Sequence, residues 1–283
     1  MTVLRPLPMR TRTLIDGSWV TLVDANHCPG AVLLVVEPPA PHPMVLHTGD
    51  FRFSSAQFHS CPILGTLRRA NATLILDTTY CAPEHDFPPQ EDVLRFVRNS
   101  VQAEAFNPRT LFLVGTYTIG KERVFWEAAR ALDAKVYVGR NKRAVLDCLD
   151  LAPEDAARLT TNDAASNLHI VPMGAISFKA LATVQRYYRN RFTNIVGIAP
   201  TGWSFSGSRR PSAAAANRER LGSRQQKGSI IIYRLPYSEH SSFSEMRELV
   251  RWMEPARIVP SVVGGKDPSV LLRMLRAPAD SFR

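Results

Sequence analysis

The sequence of 283 residues is poor in cysteine, in acidic side chains and in long apolar runs. Its four cysteines lie far apart with no Cys-x-x-Cys pair, which argues against a disulfide scaffold or a zinc knuckle. No apolar run is long enough to cross a membrane. The 25 acidic residues are outnumbered by 35 lysines and arginines, so the net charge is +10 and the pI about 9.8. This balance favours a polyanionic partner such as nucleic acid.

Three polar loops follow apolar strand patterns and carry groups that bind metals. In the first, DANHCPG (24–30) lies between two β-branched segments and contains His27. A second strand pattern ends in HTGD, which places Asp50 just after a glycine, and a third precedes a serine-rich turn with His240. Histidine and aspartate are common zinc ligands. The pattern therefore predicts a metal site assembled from distant loops.

The middle of the chain alternates between strand and helix patterns. Residues 91–106 have the apolar spacing of an amphipathic helix, and residues 110–132 predict a strand, a glycine-containing loop and a helix. A further strand is predicted over 134–139, so we expect a parallel α/β layer. Residues 204–229 are expected to form a solvated insertion, with DNA contacts by its basic side chains as the alternative. A helix is predicted over 244–253, with Ser244 as its capping candidate.

Six segments resemble, in order, the motifs of one family. They are DANHCPGAV (24–32), HTGDFRF (47–53), LILDTTYC (74–81), VGTYTIGKERV (114–124), PTGW (200–203) and YSEHSSFSEM (237–246). The family is that of the DNA cross-link repair nucleases, the Artemis-related branch of the β-CASP metallo-β-lactamases. PTGW and YSEHSS are more similar to the cross-link repair 5′-exonucleases than to Artemis. The resemblance covers nearly the whole chain.

The resemblance implies an α/β fold, a metallo-β-lactamase αββα sandwich with an inserted β-CASP α/β domain. Residues 1–90 would be the first part of the metallo-β-lactamase domain, 91–228 the insertion and 229–283 the returning segment. One family motif, His-x-His-x-Asp-His, is not present, because no two of the seven histidines are separated by one residue. We therefore expect an N-terminally incomplete metallo-β-lactamase domain that is inactive by itself. The alternatives are a non-catalytic DNA- or protein-binding remnant and an RNA-processing β-CASP endonuclease.

The same resemblance implies a role for individual residues. His27 would bind the first metal ion, Asp50 would bridge two ions, and His240 would complete the second site. Asp77 would support the ligands, and the catalytic set would be Asp50, Asp77 and His240. The candidates for substrate binding are Thr79, Thr116, Tyr117, Lys121, His169 and Ser238, with a structural role as the alternative for His169. The segment around Lys121 contains Gly-x-x-x-x-Gly-Lys but is not a P-loop, since Glu122 follows where serine or threonine is required.

The activity implied is two-metal hydrolysis of DNA phosphodiester bonds in the 5′-to-3′ direction, in interstrand cross-link and double-strand break repair. Zinc is the expected cofactor, with another divalent metal as the alternative. DNA with 5′-phosphorylated ends is the expected partner, repair proteins are further partners, no membrane is involved, and the location is the nucleus.

Overall fold

The computed structural model describes residues 4–201, 221–263 and 267–278. The chain divides into two compact units, one made of Met1–Asp86 with Glu239–Arg283 and the other of Phe87–Ser238. Both units combine helices with a β-sheet, so the α/β class is confirmed. None of the helices in the described ranges is long and apolar enough to cross a membrane.

The described part of the first unit contains a six-stranded sheet in the order β1-β2-β3-β4-β5-β13. Its strands are Thr13–Ile15 (β1), Ser18–Asp24 (β2), Val32–Glu37 (β3), Val45–His47 (β4), Thr73–Leu76 (β5) and Arg257–Pro260 (β13). Neighbours are antiparallel from β1 to β4 and parallel from β4 through β5 to β13. It follows that β2, β4 and β5 run in one direction and that their carboxyl ends share one edge of the sheet.

Four described helices of this unit bury apolar side chains. They are Ser55–Ser60, Pro62–Gly65, Phe243–Met253 and Pro268–Arg276. The helix Phe243–Met253 begins one residue earlier than predicted, and its cap is Ser242 rather than Ser244. The reason is a capping box: the Ser242 hydroxyl accepts from the backbone of Glu245, and the Glu245 side chain accepts from the Ser242 backbone.

The described part of the second unit contains a seven-stranded sheet in the order β11-β12-β10-β6-β9-β7-β8. The strands are Thr110–Thr116 (β6), Val136–Tyr137 (β7), Leu159–Thr160 (β8), Leu168–Pro172 (β9), Asn194–Pro200 (β10), Ser223–Lys227 (β11) and Ile230–Leu235 (β12). Every pairing is parallel except that of β11 with β12. The predicted parallel layer is therefore present.

Helices pack on both faces of this sheet. They are Gln90–Glu104, Glu122–Leu132, Arg140–Leu146, Pro153–Arg158 and Phe178–Tyr187, with short 3-10 helices at Asp163–Ala165 and Met173–Ala175. Alternate residues of β6 belong to separate apolar clusters on its two faces, which explains why the strand is buried along its whole length. A Cβ atom at Gly197 would come within 2.7 Å of the Leu181 side chain, so glycine lets that helix approach the sheet closely.

Two predictions concern residues 204–238. Most of the expected insertion, residues 204–220, lies outside the described residues, but its last part forms β11. The strand β12 pairs with β10, and the second unit therefore extends to Ser238 instead of ending at 228. A β-branched run shows that a strand is present and does not show which sheet it joins.

Candidate metal centre

The three predicted metal-binding residues lie together in the first unit. His27 follows β2 and Asp50 follows β4, so both loops leave the same edge of the sheet. His240 comes just before the helix Phe243–Met253. The ligand atoms of the three side chains all lie within 4.8 Å of one another, and they are the one such group of three among the described residues.

The loop that carries His27 is fixed by its own polar residues. Asn26 adopts a left-handed conformation with φ of 52°, and its backbone N–H donates to the Asp24 carboxylate at 2.7 Å. The Asn26 side chain donates to the carbonyl of Arg52 at 3.1 Å, and the Arg52 N–H donates to the carbonyl of Ala25 at 3.0 Å. These bonds join the His27 loop to the Asp50 loop.

The turn after β4 presents Asp50 to solvent. Gly49 has φ of 55°, and a side chain there would come within 3.3 Å of the Val32 carbonyl, so both conformation and space favour glycine. The Gly49 N–H donates to Nδ1 of His47 at 2.9 Å. Thr48 is buried, and its hydroxyl accepts from the backbone N–H of Asp77 at 2.9 Å. The turn is thereby linked to the end of β5.

The turn that carries His240 is tied to the same loop. The Ser241 N–H donates to the Phe51 carbonyl, and the Ser241 hydroxyl accepts from the Phe53 N–H, each at 2.9 Å. Arg52 forms an ion pair with Glu245 at 2.9 Å, with only 2% of the arginine side chain exposed. Since Glu245 also completes the capping box, this pair holds the start of the helix beside the loop.

Hydrogen bonds determine which nitrogen of each imidazole can bind a cation. The Nδ1 of His27 lies 2.9 Å from the carbonyl oxygen of Glu239, which can only accept, so Nδ1 carries the proton. The Nδ1 of His240 lies 2.8 Å from Oδ2 of Asp77. Both rings therefore keep the Nε2 lone pair for a ligand bond, and their centroids are 4.6 Å apart.

Asp77 is buried at the end of β5, with 1% of its side chain exposed. Burial by itself would raise the pKa of Asp77, but the hydrogen bond and charge of His240, with two bonds from Thr79, outweigh burial and hold the pKa below its usual range. Asp77 is thus an anion that accepts from His240 on one oxygen and from Thr79 on the other. The Thr79 hydroxyl, predicted to bind substrate, donates to Asp77 at 2.6 Å.

The donor set fits one divalent cation. Two imidazoles and one carboxylate are the protein ligands of many catalytic zinc sites, which need three protein ligands and keep a further position open. Each imidazole also donates its other N–H to an oxygen, as histidine ligands of metals do. Three donors satisfy one such site but not two.

The other predicted substrate residues belong to the second unit. Thr116, Lys121 and Ser238 are buried, whereas Tyr117 is half exposed. The Lys121 ammonium donates to the Tyr237 carbonyl at 3.4 Å and lies 5.3 Å from the centre of the Tyr237 ring.

His169 is buried within the second unit, with 2% exposure, and packs on the rings of Tyr137 and Tyr188. Its Nε2 lies 3.2 Å from the carbonyl of Ser166, and burial lowers the pKa of His169. These contacts favour the structural role over the substrate-binding one.

Sequence reasoning missed the residue that orients the Lys121 loop. Lys142 donates to the carbonyls of Tyr117 and Thr118 at 3.2 and 2.9 Å and forms an ion pair with Glu122 at 2.9 Å. Glu122 in turn accepts from the Gly120 N–H at 3.0 Å. Nothing in the sequence marks Lys142, because a lysine usually faces solvent.

Comparisons with known proteins concern first the fold and then the relatives. The profile of the family described as DNA repair metallo-beta-lactamase matches residues 153–266. A crystal structure of a protein of unknown function from Enterococcus faecalis V583 has a TM-score of 0.55 at 17% identity and covers 91% of this chain and 61% of that one. That likeness concerns the fold alone. The profile match agrees with the metallo-β-lactamase fold that the sequence predicts.

The curated relatives are more specific. The chain is 40% identical to the DNA cross-link repair 1A protein of Mus musculus over 260 residues, 92% of this chain and 24% of that protein. It is 36% identical to the DNA cross-link repair protein SNM1 of Arabidopsis thaliana, covering 93% of this chain and 52% of the relative. It is 30% identical to the 5′ exonuclease Apollo of Gallus gallus, covering 92% and 49%. The chain is therefore similar to DNA cross-link repair proteins over 90% or more of its own length, and it spans from about a quarter to a half of these relatives.

Proposed function

We propose that this chain is part of a metal-dependent DNA nuclease that hydrolyses phosphodiester bonds from 5′ ends in the repair of interstrand cross-links and double-strand breaks. The observation that carries the proposal is the cluster of His27, Asp50 and His240, supported by Asp77, in a chain similar to cross-link repair proteins. The name of one relative, a 5′ exonuclease, supports the direction of digestion.

The first unit would hold the cation. His27 and His240 would bind it through Nε2, and Asp50 would supply a carboxylate oxygen. Zinc is the proposed ion, since two imidazoles and a carboxylate suit it. The chemistry that a divalent cation supplies when bound is stabilisation of the negative charge that develops on the phosphate. Asp77 would act as a positioning residue, because its negative charge holds the His240 proton on Nδ1 and leaves Nε2 as the ligand atom.

DNA is the proposed substrate, and its 5′-phosphorylated ends are the preferred form. The net charge of +10 favours a polyanion. Thr116, Tyr117, Lys121 and Ser238 are proposed to contribute to recognition of the substrate. The three buried side chains, Thr116, Lys121 and Ser238, would act on the shape of their loops. A nuclear location is proposed, and the repair role in the names of the relatives supports it.

Release of labelled nucleotides from 5′-phosphorylated DNA tests the proposal. The chain by itself is expected to be inactive, because it offers one set of three ligands. Joined to a segment that carries His-x-His-x-Asp-His, it should gain activity that a chelator abolishes. In that form Asp50→Ala should remove nearly all activity, whereas His42→Ala, at an exposed position, should not. Absence of activity in the joined protein, or activity indifferent to chelator, would contradict the nuclease assignment.

A further inference from the structure

An aromatic and cationic surface lies at the amino ends of the parallel strands in the second unit. Two segments form this amino-end surface, residues 105–109 before β6 and residues 186–193 before β10. Because β6 and β10 are parallel neighbours, both segments lie at the same edge of the sheet. The proposed substrate residues Thr116 and Tyr117 lie at the other end of β6, roughly 20 Å away along a strand of this length. The amino-end surface is therefore distinct from the proposed substrate site.

Hydrogen bonds hold the two segments of this surface together. The guanidinium of Arg109 donates to the carbonyls of Arg191 and Asn190 at 3.3 and 3.4 Å. The Asn107 side-chain amide donates to the Thr193 hydroxyl at 3.3 Å. The Thr193 backbone N–H donates to the Arg109 carbonyl at 2.9 Å. The two segments therefore form one continuous surface.

Two aromatic side chains of the amino-end surface are exposed to solvent. Phe106 is 96% exposed, and Tyr187 is 79% exposed. The ring of Tyr187 packs edge-on against that of Tyr188, with 4.7 Å between the centroids, so it is supported on one side and open on the other. Exposed apolar groups rimmed by polar residues mark protein–protein interaction sites, and tyrosine and arginine carry much of the binding energy there.

The same segments carry an excess of positive charge. Together they contain four arginines and no acidic residue. Arg109, Arg186 and Arg189 are exposed, and none of these three forms an ion pair with a carboxylate of the described residues. The carboxylate of Asp163, on a neighbouring loop, interacts with the charge of the fourth arginine, Arg191. The three exposed guanidinium groups thus lack a counter-charge within the described structure.

A cavity of about 530 Å³ adjoins the surface. Its walls include Pro108 and Arg191 from the two segments, together with the exposed Lys135. The acidic residue in its wall, Asp133, forms an ion pair with Arg158 at 3.0 Å, so its charge is already balanced. The cavity therefore has room for a side chain of a partner, and Lys135 adds positive charge beside it.

We propose that the amino-end surface binds an acidic segment of a partner protein, with an apolar side chain against Phe106 and Tyr187 and carboxylates beside the arginines. A guanidinium matches the geometry of a carboxylate, with which it forms paired hydrogen bonds. A protein segment is favoured over substrate DNA because the proposed contacts with DNA lie at the opposite edge of this sheet. The surface goes beyond the proposed nuclease function, since it requires neither a metal ion nor hydrolysis.

Selection of short randomised peptides displayed on phage, against the immobilised 283-residue chain in the presence of a chelator, tests the proposal. We expect the selected peptides to combine a net negative charge with an aromatic residue or leucine. Titration of a labelled synthetic copy, followed by fluorescence anisotropy, should show binding weakened about tenfold in Phe106→Ser and in Arg189→Gln. The matched controls are Leu4→Ser and Arg140→Gln, which change an exposed apolar side chain and an exposed arginine outside the surface.

A labelled single-stranded oligonucleotide, titrated against the same variants, distinguishes a protein partner from nucleic acid. If the surface variants weaken binding of the oligonucleotide and no acidic peptide is selected, the surface binds nucleic acid and the proposal is overturned. Selected peptides without acidic residues, or equal losses in the surface and control variants, would also overturn it. Phe106 and Arg189 are exposed, so thermal unfolding should be unchanged in both variants. Because the chelator removes metal, the result is independent of nuclease activity.

Discussion

Replacing Asp77 with asparagine tests how the buried carboxylate supports the metal centre. One Asp77 oxygen accepts from His240 at 2.8 Å, and the other accepts from both the N–H and the hydroxyl of Thr79. Asparagine has almost the same shape but turns one of these acceptors into a donor. If the amide nitrogen faces His240, the proton must leave Nδ1 and occupy Nε2, where the cation would bind. If it faces Thr79, two N–H groups oppose each other in a buried site.

Either orientation weakens the hold on His240, so we expect Asp77→Asn to lower zinc affinity about 10–100-fold, the usual effect of losing such a partner. This corresponds to about 1.4–2.8 kcal/mol. Competition with a zinc-responsive dye measures the affinity, and thermal unfolding verifies that the variant is folded. Asp92→Asn, an exposed carboxylate that bonds only Arg95 among the described contacts, is the control. Unchanged zinc affinity in a folded Asp77→Asn protein would refute the reasoning.

Two further predictions concern DNA binding and the second unit. Because the net charge is +10, the chain should bind DNA weakly with an affinity that falls at least about tenfold between about 50 and 200 mM salt; titration of labelled DNA measures this, and binding indifferent to salt would count against it. Burial lowers the pKa of His169 below its usual value of 6.5, so the unfolded chain binds a proton at this residue more readily than the folded chain does. The contribution of neutral His169 to the free energy of unfolding is therefore fully present above pH 6.5 and is lost as the pH falls below that value. His169→Gln should flatten the fall in thermal stability relative to His42→Gln, and an equally steep fall would show that His169 is not responsible.

Local patterns predicted the elements with strong apolar periodicity. The helix expected over 91–106 spans Gln90–Glu104, and the segments on either side of His27 are β2 and β3. The sequence pattern also indicated that His27, Asp50 and His240 lie close together, since each lies beside the end of a strand or helix. The link between Asp77 and the ligand residues came from the family resemblance. By its own residue type and position, Asp77 is an ordinary aspartate at the end of a strand.

What the sequence did not predict depends on contacts between distant segments. Ser223–Lys227 reads SRQQK and has no strand pattern, but it lies at the sheet edge and is exposed on both faces, so pairing with Ile230–Leu235 alone makes it a strand. Ser242 caps its helix because Glu245 also pairs with Arg52, almost two hundred residues away in the sequence. The role of Lys142 becomes visible only in the structure, where its ammonium donates to the carbonyls of Tyr117 and Thr118.

Zinc stoichiometry tests the central claim, a single cation site formed by His27, Asp50 and His240, most directly. The 283-residue protein is equilibrated with zinc, dialysed and analysed for metal. We expect no more than one retained equivalent, because three ligands suffice for one catalytic-type site and not for two. That equivalent should be lost in His27→Ala, Asp50→Ala and His240→Ala and kept in His42→Ala. Two equivalents retained after dialysis, or one that survives all three ligand substitutions, would contradict the account.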